Sequence, residues 1–98
     1  MRHLTSEQVQ QYIAANVRRL RAARGLTQDA LGEAAGLSLN YVQEIEAASK
    51  AVSLPALVAL ANALDVGPPD LLQPAEMPAV KRGRPRKAQT DTQVSEAS

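Results

Sequence analysis

The sequence predicts an all-α domain of five helices followed by a disordered carboxy-terminal tail. Three observations carry this expectation. Apolar residues recur at helical spacing between Val9 and Leu20 and again between Leu54 and Leu64, and no stretch alternates as a strand would. Helix-starting and helix-stopping residues fall between these runs, at Thr5, Gly25, Thr27, Gly36, Ser38, Ser53 and Gly67. The composition changes after Pro74: Pro78, Gly83 and Pro85 break helices, and residues 88–98 offer almost nothing to bury. The folded domain is therefore expected at 5–74 and the tail at 75–98.

The first helix is expected from about Ser6 to Arg24, with Val9, Tyr12, Ile13, Val17 and Leu20 on its inner side. Thr5 and Gln8 have the spacing of a capping box, and Gly25 suits the carboxy-terminal cap. Thr27 caps a second helix, about Gln28 to Ala35, and Ser38 caps a third, about Leu39 to Ala47. Between them the chain must turn sharply at Gly36, where a left-handed backbone is cheapest for glycine. Leu31, Ala35, Leu37, Val42 and Ile45 are apolar where these two helices would touch, and Gly32 is small where they would come closest. This is the pattern of a helix-turn-helix. A fourth helix starts after Ser53, tolerates Pro55 in its first turn and is expected to turn Leu54, Leu57, Val58, Ala61 and Leu64 inward until Gly67 ends it. Pro68 and Pro69 open a short fifth helix with Leu71 and Leu72.

Composition removes several function classes. There is no cysteine, and His3 is the one histidine, so thiolate chemistry, a zinc site and a Ser–His couple are all unsupported. No metal, cofactor, catalytic constellation or small-molecule effector is expected. The two aromatic residues, Tyr12 and Tyr41, are too few for a base-stacking platform. No run approaches 18 apolar residues and the first residues lack a signal-peptide core, so a cytoplasmic location without a membrane partner is expected. Charge is unevenly spread. Residues 1–80 carry six basic and eight acidic groups, net −2, whereas residues 81–98 carry five and two, net +3. The tail holds the positive charge that binding to a polyanion requires.

Residues 17–72 resemble the Xre/Cro/C1-type helix-turn-helix domain of phage repressors and many bacterial regulators. The resemblance rests on Arg21, Leu26-Thr27-Gln28, Gly36-Leu37-Ser38, Tyr41, Ile45-Glu46, Ala61 and Ala63-Leu64, in that order. The stretch from Val52 to Leu72 is similar to the restriction–modification controller proteins within that family. The resemblance implies a five-helix, lambda-repressor-like domain that binds double-stranded DNA, in a bacterium or phage and on the nucleoid. It also implies that Arg21 and Glu46 pair to tie the first helix to the third. One departure stands out: the family usually has glycine two residues after the glutamate, where this chain has Ala48. Either the third helix runs on, or Ala48 takes up the turn at some cost.

On the third helix Val42, Ile45 and Ser49 share one face, and Asn40, Gln43, Glu44 and Ala47 lie opposite. The first face locks the helix on the domain and leaves the second for the major groove. Asn40 and Gln43 can each pair bidentately with an adenine edge, and Glu44 can accept from cytosine N4. The resemblance adds Leu39, against a thymine methyl, and Gln28, which touches the DNA backbone or buttresses the recognition helix. For Tyr41 it offers a phosphate contact through the hydroxyl; partial packing in the core is the other reading. For Arg18, Arg19 and Arg24 a solvated face is the favoured reading and phosphate contact the other.

A second constellation lies in the tail. Residues 81–87, with Arg82, Gly83, Arg84, Pro85 and Arg86, resemble an AT-hook. Glycine lets the backbone approach the groove floor, proline keeps the chain extended, and arginine enters the narrow, strongly negative minor groove of A/T-rich DNA. The expected function is a sequence-specific, homodimeric DNA-binding transcriptional regulator, with the fourth and fifth helices and Leu57, Leu71 and Leu72 as the candidate dimer interface; the core of the single chain explains those leucines equally well. An antitoxin-like or anchoring protein-interaction module and a nucleoid-architectural protein are the alternatives.

Overall fold

The computed structural model describes residues 3–75. The expected disorder of the tail and the whole of segment 81–87 lie outside the described residues. Those described form five helices and no strand: α1 (Ser6–Ala23), α2 (Gln28–Ala35), α3 (Leu39–Glu46), α4 (Leu54–Ala63) and α5 (Pro68–Leu71).

Each of the first four helices begins where a side chain satisfies an orphan backbone N–H. Thr5 and Gln8 form the reciprocal capping box on α1, at 3.1 and 2.8 Å. The Thr27 hydroxyl accepts from Ala30 N, that of Ser38 from Tyr41 N and that of Ser53 from Ala56 N. Such a cap is worth about 1 kcal/mol. The turn between α2 and α3 runs through Gly36 at φ 71°. Its base is Gly32, where an added Cβ would stand 2.7 Å from the Leu37 carbonyl oxygen. The two helices are this close because glycine is there.

The core is one cluster. Ile13 and Val17 of α1, Leu31 of α2, Val42 and Ile45 of α3, Leu57 and Leu60 of α4, and Leu64 and Leu71 beyond it are all buried. Each such side chain contributes roughly 1.5–3 kcal/mol of burial. α1 packs on α3 and α5, α2 on α3 and α4, and α4 on α5. α3 is thus held from behind by α1 and α2.

Several expectations need correction. α4 buries Ala56, Leu57, Leu60 and Ala61, while Leu54 is 75% and Val58 46% exposed. That helix has a single polar residue, Asn62 near its end, so its periodicity carries little contrast to mark the inner face. Gly67 does not end α4. The left-handed residue after α4 is Asp65, at φ 58°, and Gly67 instead precedes α5, its N–H donating to Asp70 Oδ2 at 3.1 Å. Ser49 is exposed and lies past the end of α3, not on its buried face. Of the two readings of the leucines, the core of the single chain holds for Leu57 and Leu71, and Leu72 is the exposed member of the candidate interface. Ala48 takes up the turn itself, at φ 58°.

Candidate nucleic-acid interface

α3 lies across the domain with Val42, Ile45 and Glu46 buried. Its other side presents Leu39, 41% exposed, together with the exposed Asn40 and Gln43. The periodicity of LNYVQEIE makes this division unavoidable once Val42 and Ile45 enter the core.

Glu46 anchors the arrangement from inside. Its carboxylate accepts from Arg21 Nε at 2.6 Å and from Arg21 Nη2 at 3.1 Å, a two-point contact between α1 and α3. Arg21 Nη1 also donates to the Leu26 carbonyl at 2.8 Å, which fixes the turn before α2. Gln28, at the start of α2 and half-buried, donates from Nε2 to Glu46 Oε1 at 3.0 Å. Gln43 Nε2 in turn reaches Gln28 Oε1 at 3.5 Å. Arg18, Arg21, Gln28, Gln43, Glu46 and Ala47 together line a shallow cleft beside α3.

The remaining expected residues are placed as follows. Glu44 is half-buried and faces Lys50 Nζ at 3.6 Å, so a cation stands beside it. Tyr41 is half-buried, and its hydroxyl donates to the Ala51 carbonyl at 3.4 Å and accepts from Ser53 N at 3.3 Å. It braces the segment between α3 and α4. Arg82, Gly83, Arg84, Pro85 and Arg86 lie outside the described residues.

Two features go beyond what was expected. Gln28 lies against α3, one of the two places the resemblance implied for it, but the full Glu46–Gln28–Gln43 chain joins residues 15 and 18 apart in sequence, and no local pattern announces it. Asn16 is 1% exposed, and its Nδ2 donates to the carbonyls of Leu71 and Gln73 at 3.0 and 2.9 Å while Oδ1 accepts from Arg19. It pins the end of the domain to α1. The available signal was a polar residue three positions after Ile13, on the core-facing stripe.

The fold and the exposed face of α3 define a helix-turn-helix protein, and the comparisons agree. A family model described as a helix-turn-helix domain matches residues 13–75. Control protein C.SmaI of Serratia marcescens is 36% identical over 64 residues, 65% of this chain and 76% of that protein. The HTH-type transcriptional regulator PrpR of Mycobacterium tuberculosis is 40% identical over 55 residues, which span 56% of this chain and 11% of PrpR. Among solved structures, the restriction-modification controller protein C.AhdI from Aeromonas hydrophila superposes with a TM-score of 0.62 at 37% identity, covering 63% of this chain and 94% of that one. The chain belongs to the helix-turn-helix family of transcriptional regulators, of the controller-protein type, and not to a family of enzymes.

Proposed function

We propose that this chain is a sequence-specific regulator of double-stranded DNA that reads the major groove with α3. One observation carries the reading: Asn40 and Gln43 are exposed on a helix whose opposite face is locked into the core. Both amides can make bidentate contact with a base edge. Leu39 meets a thymine methyl at the start of the same helix. Glu44 accepts from cytosine, its repulsion from phosphate eased by Lys50. Gln28 supports Gln43 and lies close enough to α3 to reach the backbone. Tyr41 acts through the segment it braces, since its hydroxyl proton already goes to Ala51.

The protein works as a homodimer on two half-sites, since one small domain makes few base contacts. Leu54 and Val58, one helical turn apart and exposed, together with Leu72, supply apolar surface for that contact. The tail segment 81–87, through Arg82, Gly83, Arg84, Pro85 and Arg86, adds a minor-groove contact on A/T-rich flanks. It brings cations that the acidic domain lacks. Regulation then takes place in the cytoplasm, at the chromosome.

The test is the double variant Asn40→Ala, Gln43→Ala. It should keep its helical content and melting temperature and lose sequence preference, at about 1–3 kcal/mol per base contact. Binding of the preferred site at wild-type strength would reject α3 as the reader. Truncation after Ala79 addresses the tail: with all five cations engaged, the slope of log affinity against log salt should fall by about 4–5. An unchanged slope would show that the domain binds unaided.

A further inference from the structure

Glu46 does more than hold α1 to α3. We infer that Glu46, acting through Gln28, fixes which way the Gln43 amide faces and thereby selects adenine over guanine at the base pair Gln43 reads. This rests on the reading of α3 as the major-groove helix.

The chemistry fixes the direction of each bond. The Glu46 side chain is 4% exposed and both its oxygens take hydrogens from Arg21. A carboxylate held in this way has no proton to give and only accepts. The group of Gln28 that faces Glu46 must therefore be its NH2, as the 3.0 Å contact from Nε2 to Oε1 requires. The amide is planar and two-ended, so its Oε1 points the other way, toward Gln43. That oxygen in turn can only accept, and Gln43 presents Nε2 to it at 3.5 Å. A buried negative charge thus dictates the polarity of two amides in sequence, and the second is exposed on the face of α3.

Gln43 is left with one N–H and one acceptor oxygen. The major-groove edge of adenine offers the complement, the N7 acceptor and the N6 amino donor. Guanine offers two acceptors, O6 and N7, and would set the Gln43 oxygen against O6. An unsupported glutamine can turn its amide over and meet either base. Gln28 and Glu46 are in this sense positioning residues, and a glutamine held by them discriminates where a free one does not. The preference is bounded by the bond that holds the amide, which is long and exposed at 3.5 Å, and is therefore roughly two- to fivefold.

The polarity can be reversed by a single change. In Glu46→Gln the new amide can keep its oxygen on Arg21 and give its NH2 to Gln28 Oε1. Gln28 then turns over, offers Nε2 to Gln43, and leaves Gln43 with both N–H groups outward, the pattern guanine accepts.

The experiment selects preferred duplexes from a random library with the full chain, then measures affinity for every single-base change in the selected site. Gln43→Ala identifies the base pair that Gln43 reads, as the one where discrimination vanishes. Wild type should prefer adenine there by roughly two- to fivefold. Gln28→Ala should abolish that preference and leave discrimination at the other positions unchanged, while losing some stability with its bond to Glu46. Glu46→Gln, measured below its own melting temperature, should move the preference toward guanine. If that variant does not fold, Gln28→Ala decides alone. A uniform loss of affinity across all base changes in Gln28→Ala would reduce Gln28 to a structural part and overturn the inference. So would a wild-type preference for guanine at the Gln43 position, or an adenine preference that survives both variants. If Gln43→Ala erases discrimination nowhere, it is the reading of α3 that fails.

Discussion

The chain enters α3 from a left-handed residue, Gly36 at φ 71°, and leaves it through another, Ala48 at φ 58°. The two turns are built alike. Each closes with a bond spanning five residues, Leu37 N to Gly32 O at 2.8 Å and Ser49 N to Glu44 O at 3.0 Å. They differ in the residue that takes the left-handed conformation. Glycine does so freely, whereas an L side chain there crowds its own carbonyl at a cost of about 1–2 kcal/mol. The alanine turn carries additional bonds. Ser49 Oγ donates to the Glu44 carbonyl at 3.2 Å, and the Tyr41 hydroxyl bridges Ala51 and Ser53 just beyond. One end of α3 is relaxed by its residue type and the other is held by its surroundings. A strained backbone persists where neighbouring contacts over-determine it.

The largest expected effect breaks the first turn at its base. Gly32→Ala places a Cβ 2.7 Å from the Leu37 carbonyl oxygen and 3.4 Å from Val42 Cγ2. The first neighbour is backbone and cannot swing aside, so α2 and α3 must separate. The loss should reach about 3 kcal/mol, the upper part of the range for overpacked cores. Urea denaturation measures it; a change below about 0.5 kcal/mol would mean that the helices part without cost.

Next in size is a pair of exchanges with opposite signs. At Gly36 a Cβ meets nothing within 4 Å, so Gly36→Ala tests conformational strain without a clash. It should cost about 1–2 kcal/mol. Ala48→Gly removes the same strain and should gain up to about 1 kcal/mol, reduced by the larger entropy of glycine in the unfolded chain. If both exchanges destabilise, the contacts around Ala48 have already absorbed its strain.

The same two turns show what a sequence discloses. Gly36 announced its conformation because glycine is the residue such a turn demands, and Thr27, Ser38 and Ser53 announced the helix starts for an equally local reason. Ala48 left two paths open, since nothing in alanine distinguishes a helix that continues from one that stops. The inner face of α4 was illegible for want of polar contrast, and Leu54 and Val58 were assigned to the wrong side. For the site, the division of α3 into a buried and an exposed face followed from periodicity. The link from Glu46 through Gln28 to Gln43 did not. It depends on how closely the start of α2 approaches α3, a distance that packing sets and that no spacing in the chain encodes.

The smallest expected effect asks what holds the strained turn. Tyr41→Phe keeps the half-buried ring and removes the hydroxyl that bridges Ala51 and Ser53. Both bonds are long, 3.4 and 3.3 Å, and exposed, so water can replace them. The cost should be at most about 0.5–1 kcal/mol. The informative quantity is its dependence on residue 48. If the bridge helps to impose the left-handed turn on alanine, Tyr41→Phe should cost less once Ala48→Gly has made that turn easy. A double-mutant cycle in urea should then show a coupling of about 0.5 kcal/mol. Strictly additive effects would separate the bridge from the turn. The bonds from Ser49 to Glu44 would then hold Ala48 in its left-handed conformation by themselves.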